Sequence, residues 1–177
     1  VVVEADEYDR SFLTLNPDIA VITSIDADHL DIYKTKDSLR NAFTDFTNKI
    51  KSGGTLFLEE NVDTTLITRE DILILQYSTS DTSDCRALHI LNKDYTMTFD
   101  VLFKEELLSG FKLCMGGEYN VYNALVAISV SKLLDIDNQR IIESINTFKG
   151  IYRRFETHLS SEKVVFIDDY AHHPIEV

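Results

Sequence analysis

Four places in the chain carry side chains whose types and spacing could do chemistry. The first is a pair of acidic clusters within Val1–Tyr33, where eight carboxylates stand against one base, Arg10. Each cluster follows a short apolar run: VVVEADEYD opens the chain, and AVITSI leads into DADHLD. If both runs are parallel strands, their carboxyl ends share one sheet edge, where open α/β sheets bind ligands. Glu4 and His29 would then stand close enough to share a metal ion. Carboxylates suit a hard cation such as Mg²⁺, whereas an imidazole ligand points toward Mn²⁺ or Zn²⁺. The plainer reading is a solvated acidic loop edge.

The second place is Gly116-Gly117-Glu118-Tyr119-Asn120-Val121-Tyr122-Asn123. Asn120 and Asn123 are three apart at the start of a helix and so share a face. A cap accounts for one asparagine but not for a second a turn further in. Their amides offer both donor and acceptor, as a nucleotide base or ribose requires. A glycine pair before a helix can take phosphate at the helix terminus, although no G-x-x-x-x-G-K-[ST] loop occurs in these residues. The third place is Arg153-Arg154-Phe155-Glu156, read either as a surface salt bridge or as a phosphate clamp. The fourth is Asp168-Asp169-Tyr170-Ala171-His172-His173-Pro174. Its acids and histidines could serve as metal ligands, general bases or substrate contacts, and spacing alone does not choose.

These residues need a scaffold, and 177 residues with 44% hydrophobic content provide one domain of ordinary core. A net charge of −13 argues against a nucleic-acid backbone as partner. No apolar stretch reaches the roughly 18 residues of a membrane span, and no signal-peptide pattern opens the chain. Cys85 and Cys114 fit no metal or redox pattern and read as reduced core thiols of a cytoplasmic protein. The abrupt ends predict a piece of a longer protein.

Apolar runs at Val1–Val3, Ala20–Ile25, Thr55–Leu58 and Ile72–Tyr77 predict strands. A helix capped at Asp37-Ser38 buries Leu39, Ala42, Phe43, Phe46 and Ile50, with Lys49 and Lys51 in its last turn and Gly53-Gly54 as its stop. A short helix is expected over Asn61–Thr68. This rhythm predicts an α/β fold with a mainly parallel sheet flanked by helices. Ala87–Leu91, Tyr95–Phe103 and Phe111–Met115 predict a small antiparallel β subdomain, with Tyr95, Met97, Phe99, Val101 and Phe103 on its dry face. Tyr119–Leu134 is apolar nearly all round and is expected to be sandwiched. Asn138–Phe148, capped by Asn138, should bury Ile141, Ile142, Ile145 and Phe148. Val164–Ile167 reads as a final strand.

The pieces EADEYD, DADHLDIY, GGEYNVYNA, RRFE and DDYAHHP, in this order, resemble the Mur ligases over nearly the whole chain. The short Arg10–Pro17 spacer favours the member that adds L-alanine over the one that recycles murein tripeptide. The resemblance implies a P-loop-type central domain over residues 1–160 and the start of a C-terminal domain over 161–177. It implies ATP-dependent amide synthesis: phosphorylation of the carboxylate of UDP-N-acetylmuramate, then attack by L-alanine on the acyl phosphate, within peptidoglycan precursor synthesis. It implies that Glu4 and His29 bind Mg²⁺, that Asn120, Asn123, Arg154 and Asp169 meet ATP, and that Tyr170, His172 and His173 approach substrate. Glu4, His29 and Arg154 would be the catalytic residues.

Three departures follow. The family's phosphate loop, the N-terminal domain holding the UDP moiety and most of the C-terminal domain are not in these residues, so the piece alone is expected to be inactive. Tyr119 stands where the family often has His, and Leu39–Thr47 contains no lysine for the carbamylated position of some members. The competing readings are a two-metal phosphoesterase built on DADH and DDYAHH, and a nucleotide-binding or structural module. The phosphoesterase reading leaves Asn120, Asn123 and the arginine pair without a task.

Overall fold

A computed structural model describes residues 1–25 and 30–171, and its chain divides into two compact units, Val1–Asp84 and Cys85–Val177. The first unit holds strands β1 (Ile19–Ile22), β2 (Thr55–Glu59) and β3 (Leu73–Ser78). They pair in parallel, β1 on β2 and β2 on β3. Helices α1 (Leu30–Tyr33) and α2 (Lys36–Thr47) connect the first two strands. Ala20 and Ile22 of β1 and Leu56 and Leu58 of β2 alternate onto one face, where Leu39, Ala42, Phe43 and Phe46 of α2 cover them. Ile50, beyond the helix, closes the same cluster. β2 is buried on four consecutive positions, as a central parallel strand should be.

The N-terminal segment differs from expectation. Val1–Val3 form no strand and are exposed. Among the described residues no strand pairs with the three valines, and strand propensity without a ladder partner forms no strand. The segment is held further on, by Phe12. That ring sits in the core at 5.5 Å from Phe43 and 5.0 Å from Phe46. The Tyr33 hydroxyl donates to the Glu7 carbonyl, and Arg10 lies 5.0 Å over the Tyr33 ring.

Boundaries also moved for local reasons. The cap of α2 is Thr35, whose hydroxyl accepts from Ser38 N at 3.1 Å, rather than Asp37-Ser38. The helix ends at Thr47, before Lys49 and Lys51, and Lys51 Nζ instead meets Asp18 at 2.8 Å. Gly53, with φ of +74°, serves the turn into β2 and not the helix stop. Only Thr64–Leu66 of the expected Asn61–Thr68 helix forms, as a 3₁₀ turn.

The second unit opens with β4 (Cys85–Lys93), β5 (Thr96–Phe103) and β6 (Glu106–Leu113), all antiparallel neighbours. Met97, Phe99, Val101 and Phe103 are buried, as their alternation requires, and Phe99 stacks on Phe111 at 5.5 Å, whereas Tyr95, in the turn before β5, is exposed. Helix α3 (Glu118–Leu133) packs on β4 and β5, and α4 (Asn138–Thr147) packs on β6. In α3 the buried stripe is Asn120, Val121, Ala124, Leu125, Ile128 and Ser129, while Asn123 and Ala127 are exposed, so the helix is not dry all round.

The cap of α4 is Asp137, which accepts from Gln139 N and Arg140 N. Asn138 instead bonds Glu106 and Lys132. Of the expected stripe Ile141 is buried and Phe148 exposed, because the chain turns extended at Phe148. Cys85 is a core thiol; Cys114 is exposed, since β6 ends at Leu113 and its alternation points Cys114 outward. A last hairpin, β7 (Glu156–Ser160) with β8 (Val165–Asp168), spans the expected 160/161 domain boundary. Among the described residues no helix is long and apolar enough to cross a membrane.

The turn before β2 gives a stability test. A Cβ on Gly54 would come within 2.7 Å of the Asp18 carbonyl and 2.8 Å of the Lys51 carbonyl, whereas one on Gly53 meets nothing within 4 Å. Gly54→Ala is expected to cost about 1–3 kcal/mol by overpacking. Gly53→Ala should cost about 1 kcal/mol, for its left-handed backbone alone. Urea unfolding of both variants measures this; equal costs would mean that the backbone around Gly54 yields freely.

Candidate functional site

At the carboxyl edge of the parallel strands lies a cleft of about 520 Å³. Ser24 and Ile25 follow β1, Glu59 ends β2, and Lys36, Asp37 and Arg40 come from the first turns of α2. Asn61, Val62 and Asp63 complete its wall. The sheet edge the sequence singled out is therefore concave, with charged side chains set on a partly apolar wall that includes Ile25, Leu39 and Leu66. Arg40 bonds Asp63 and Thr65, and the Asp63 carboxyl is held down at about 2, chiefly by the Thr65 N–H and hydroxyl and then by Arg40.

The acids of the first cluster divide between structure and availability. Asp6 accepts from Tyr8 N at 2.8 Å and Asp9 from Ser11 N at 2.8 Å, so both shape turns. Ser11 also lowers the Asp9 carboxyl below its ordinary range. Asp18 is lowered by its bond to Lys51. Glu4 is exposed in a segment without regular structure, not at the end of a strand as expected. Its carboxylate is a donor type that suits Mg²⁺. His29, with Asp26 and Asp28, lies outside the described residues, as do His172 and His173.

In the second unit three of the sequence motifs converge on one carboxylate. Asp169 Oδ2 accepts from the Phe155 N–H at 3.2 Å and from the Tyr119 hydroxyl at 3.3 Å. Asp169 Oδ1 accepts from the Ala171 N–H at 2.9 Å. GGEYN, RRFE and DDYA thus share an anchor. Gly116 and Gly117 are needed because aromatic rings press on them. A Cβ at Gly116 would lie 2.7 Å from the Phe155 ring, and one at Gly117 2.6 Å from the Tyr119 ring.

Asn120 is buried, and its amide donates to the Gly116 carbonyl at 2.7 Å. It holds the helix start from inside, while Asn123 faces solvent. The two asparagines therefore meet different surroundings, contrary to the shared face the three-residue spacing suggests. Arg153 is a framework residue. Its backbone N–H donates to Glu156 Oε2 at 2.9 Å, its guanidinium lies 4.7 Å over the Tyr170 ring, and its carbonyl accepts from Tyr170 N. Arg154, one residue on, is exposed beside this knot. Sequence reasoning missed the Tyr119–Asp169 contact, which links residues fifty apart. It also missed Lys36, Arg40 and Asn61 of the cleft, for which only their position after strands offered a signal.

The Mur ligase middle domain model matches residues 1–131. A UDP-N-acetylmuramate–L-alanine ligase of Flavobacterium johnsoniae is 38% identical over 99% of this chain and 37% of its own length. The enzyme of that name from Porphyromonas gingivalis is 41% identical over 100% of this chain and 39% of its own length. The solved structure of UDP-N-acetylmuramate-alanine ligase MurC from Thermotoga maritima superposes with a TM-score of 0.77 at 22% identity, covering 97% of this chain and 39% of that one. MurF from Acinetobacter baumannii gives 0.78 at 21% identity, over 95% and 37%. The chain belongs to the Mur ligase family. It spans under two-fifths of the length of these curated relatives.

The Asp169 anchor has a spectroscopic consequence. Burial first, then the Asp169 charge, raises the Tyr119 phenol above its ordinary value of 10. Its proton is therefore held more tightly in the folded state; the associated stability is complete below pH 10 and is lost as pH rises through the folded value. In ultraviolet titration, Tyr119→Phe should remove a phenolate transition lying above pH 10. Asp169→Asn should move that transition down. An unmoved transition in Asp169→Asn would break the assigned contact.

Proposed function

We propose that the complete protein joins L-alanine to UDP-N-acetylmuramate in an ATP-dependent reaction, in the synthesis of peptidoglycan precursors. The observation that carries this reading is 38–41% identity, across essentially the whole chain, to enzymes named for that ligation. A two-metal phosphoesterase does not fit a member of this family. The reaction transfers the γ-phosphoryl group of ATP to the lactyl carboxylate, releasing ADP. The amine of L-alanine then attacks the acyl carbon, forms the amide and releases phosphate. Such chemistry asks the protein mainly to position groups and neutralise charge.

Within this reading residues 1–160 belong to the central ATP-binding domain and 161–177 begin the C-terminal domain, and a phosphate loop and the UDP-holding domain come from the rest of the protein. Glu4 and His29 would hold Mg²⁺, which neutralises phosphate charge when bound. Asn123, Arg154 and Asp169 face or border the surface beside the start of α3 and are assigned to ATP. Asn120 contributes by fixing the helix start against Gly116. Tyr170, His172 and His173 are assigned to the substrate side. The protein is placed in the cytoplasm, where these nucleotide substrates are made.

The test uses the complete protein with Mg-ATP, UDP-N-acetylmuramate and either L-alanine or the murein tripeptide, with ADP release as readout. Turnover with L-alanine supports the proposal; turnover with the tripeptide alone moves the chain to the recycling ligase. Glu4→Ala and His29→Ala should each lower kcat by about a hundredfold. Arg154→Ala should raise the KM for ATP more than Arg153→Ala does. The reverse order would assign the phosphate contact to Arg153.

A further inference from the structure

The β7–β8 hairpin carries a group of side chains that the ligase reading leaves without a task. Glu156, His158 and Asp168 each bring one ligand atom to a point where all three lie within 4.8 Å of one another. The sheet register explains why. Glu156 pairs directly across from Asp168, which sets both on one face. The pairing then shifts, with Thr157 opposite Ile167 but Leu159 opposite Phe166, so His158 is the extra residue of a bulge. His158 Nε2 stands 3.7 Å from Glu156 Oε2 and 3.7 Å from Asp168 Oδ2.

Those separations exceed a hydrogen bond. They are close to the spacing of two donors on one ion, about 3.3–3.6 Å when each bond is about 2.0–2.2 Å in a tetrahedral site. The surroundings hold the donors in place. The His158 ring packs on Phe166 with centroids 5.5 Å apart, and the Arg153 N–H bonds Glu156 Oε2 as an outer-shell donor would. The Arg153 guanidinium forms a long ion pair with Asp168, Nε to Oδ2 at 3.9 Å, at the edge of the group. All three side chains are between 31% and 38% exposed, so a hydrated ion can reach them. One imidazole nitrogen with two carboxylate oxygens is a donor set that suits Zn²⁺ or a neighbouring first-row ion.

We propose that Glu156, His158 and Asp168 form a binding site for one Zn²⁺-class divalent ion, with solvent filling the remaining position. The ion would lock the last hairpin and the start of the DDYA segment to each other. It is distinct from the phosphate-neutralising Mg²⁺ assigned to Glu4 and His29, which lie on other parts of the chain.

The experiment is calorimetric titration of the metal-free complete protein with Zn²⁺ in excess Mg²⁺, repeated with Co²⁺ and visible absorption. A Zn²⁺ site that depends on His158 should appear. His158→Ala and Glu156→Gln should each weaken it by about tenfold or more, while His29→Ala leaves it unchanged. Imidazole ¹⁵N resonances of the unaltered chain provide a check independent of any variant, and His158 Nε2 should shift as Zn²⁺ is added. The proposal fails if His158→Ala binds as the parent does, if excess Mg²⁺ abolishes binding, or if the His158 resonance stays in place.

Discussion

The second unit depends on one carboxylate. Asp169 takes hydrogen bonds from the Phe155 and Ala171 backbone and from the Tyr119 hydroxyl, and so joins three segments far apart in sequence. Donors to an ionised acceptor form stronger bonds than neutral pairs do. The convergence also explains the glycines, since Gly116 and Gly117 give the Phe155 and Tyr119 rings room to approach. With the rings seated, Asn120 can close the start of α3 and Arg154 is placed beside it. Here a packing constraint and a nucleotide-binding assignment fall on the same residues and do not compete.

The first unit works differently. Its parallel strands bury apolar side chains in continuous runs, and their carboxyl edge opens into a cleft of mixed charged and apolar lining. Acidic residues of this unit are divided between tasks. Asp6, Asp9, Asp18 and Asp63 hold turns or pair with bases, whereas Glu4 stands exposed. A high count of carboxylates therefore overstates the number available to a metal.

The parts of the fold that were legible in the sequence are those set by local periodicity. Leu39, Ala42, Phe43 and Phe46 mark a helix face, and Met97 to Phe103 mark a strand face, because burial repeats with each geometry. Helix starts were displaced by one or two residues, since Thr35 and Asp137 win the capping position from equally plausible neighbours by backbone angle, which composition does not encode. β7 was missed because ETHLS is polar and exposed and becomes a strand only through pairing with β8. Val1–Val3 show the opposite error: high strand propensity without a partner gives no strand. The site motifs were legible as an ordered set, but the Asp169 contacts were not, because nothing in short-range spacing connects residue 119 with residue 169.

Amide hydrogen exchange in Asp169→Ala tests the anchor most directly. The account predicts that the Phe155 and Ala171 amides lose protection and the start of α3 exchanges faster. The core amides of β5 should be unaffected, because its apolar face packs independently of Asp169. Unchanged protection at Phe155 and Ala171 would contradict the account, for the three motifs would then be held together by something other than this carboxylate.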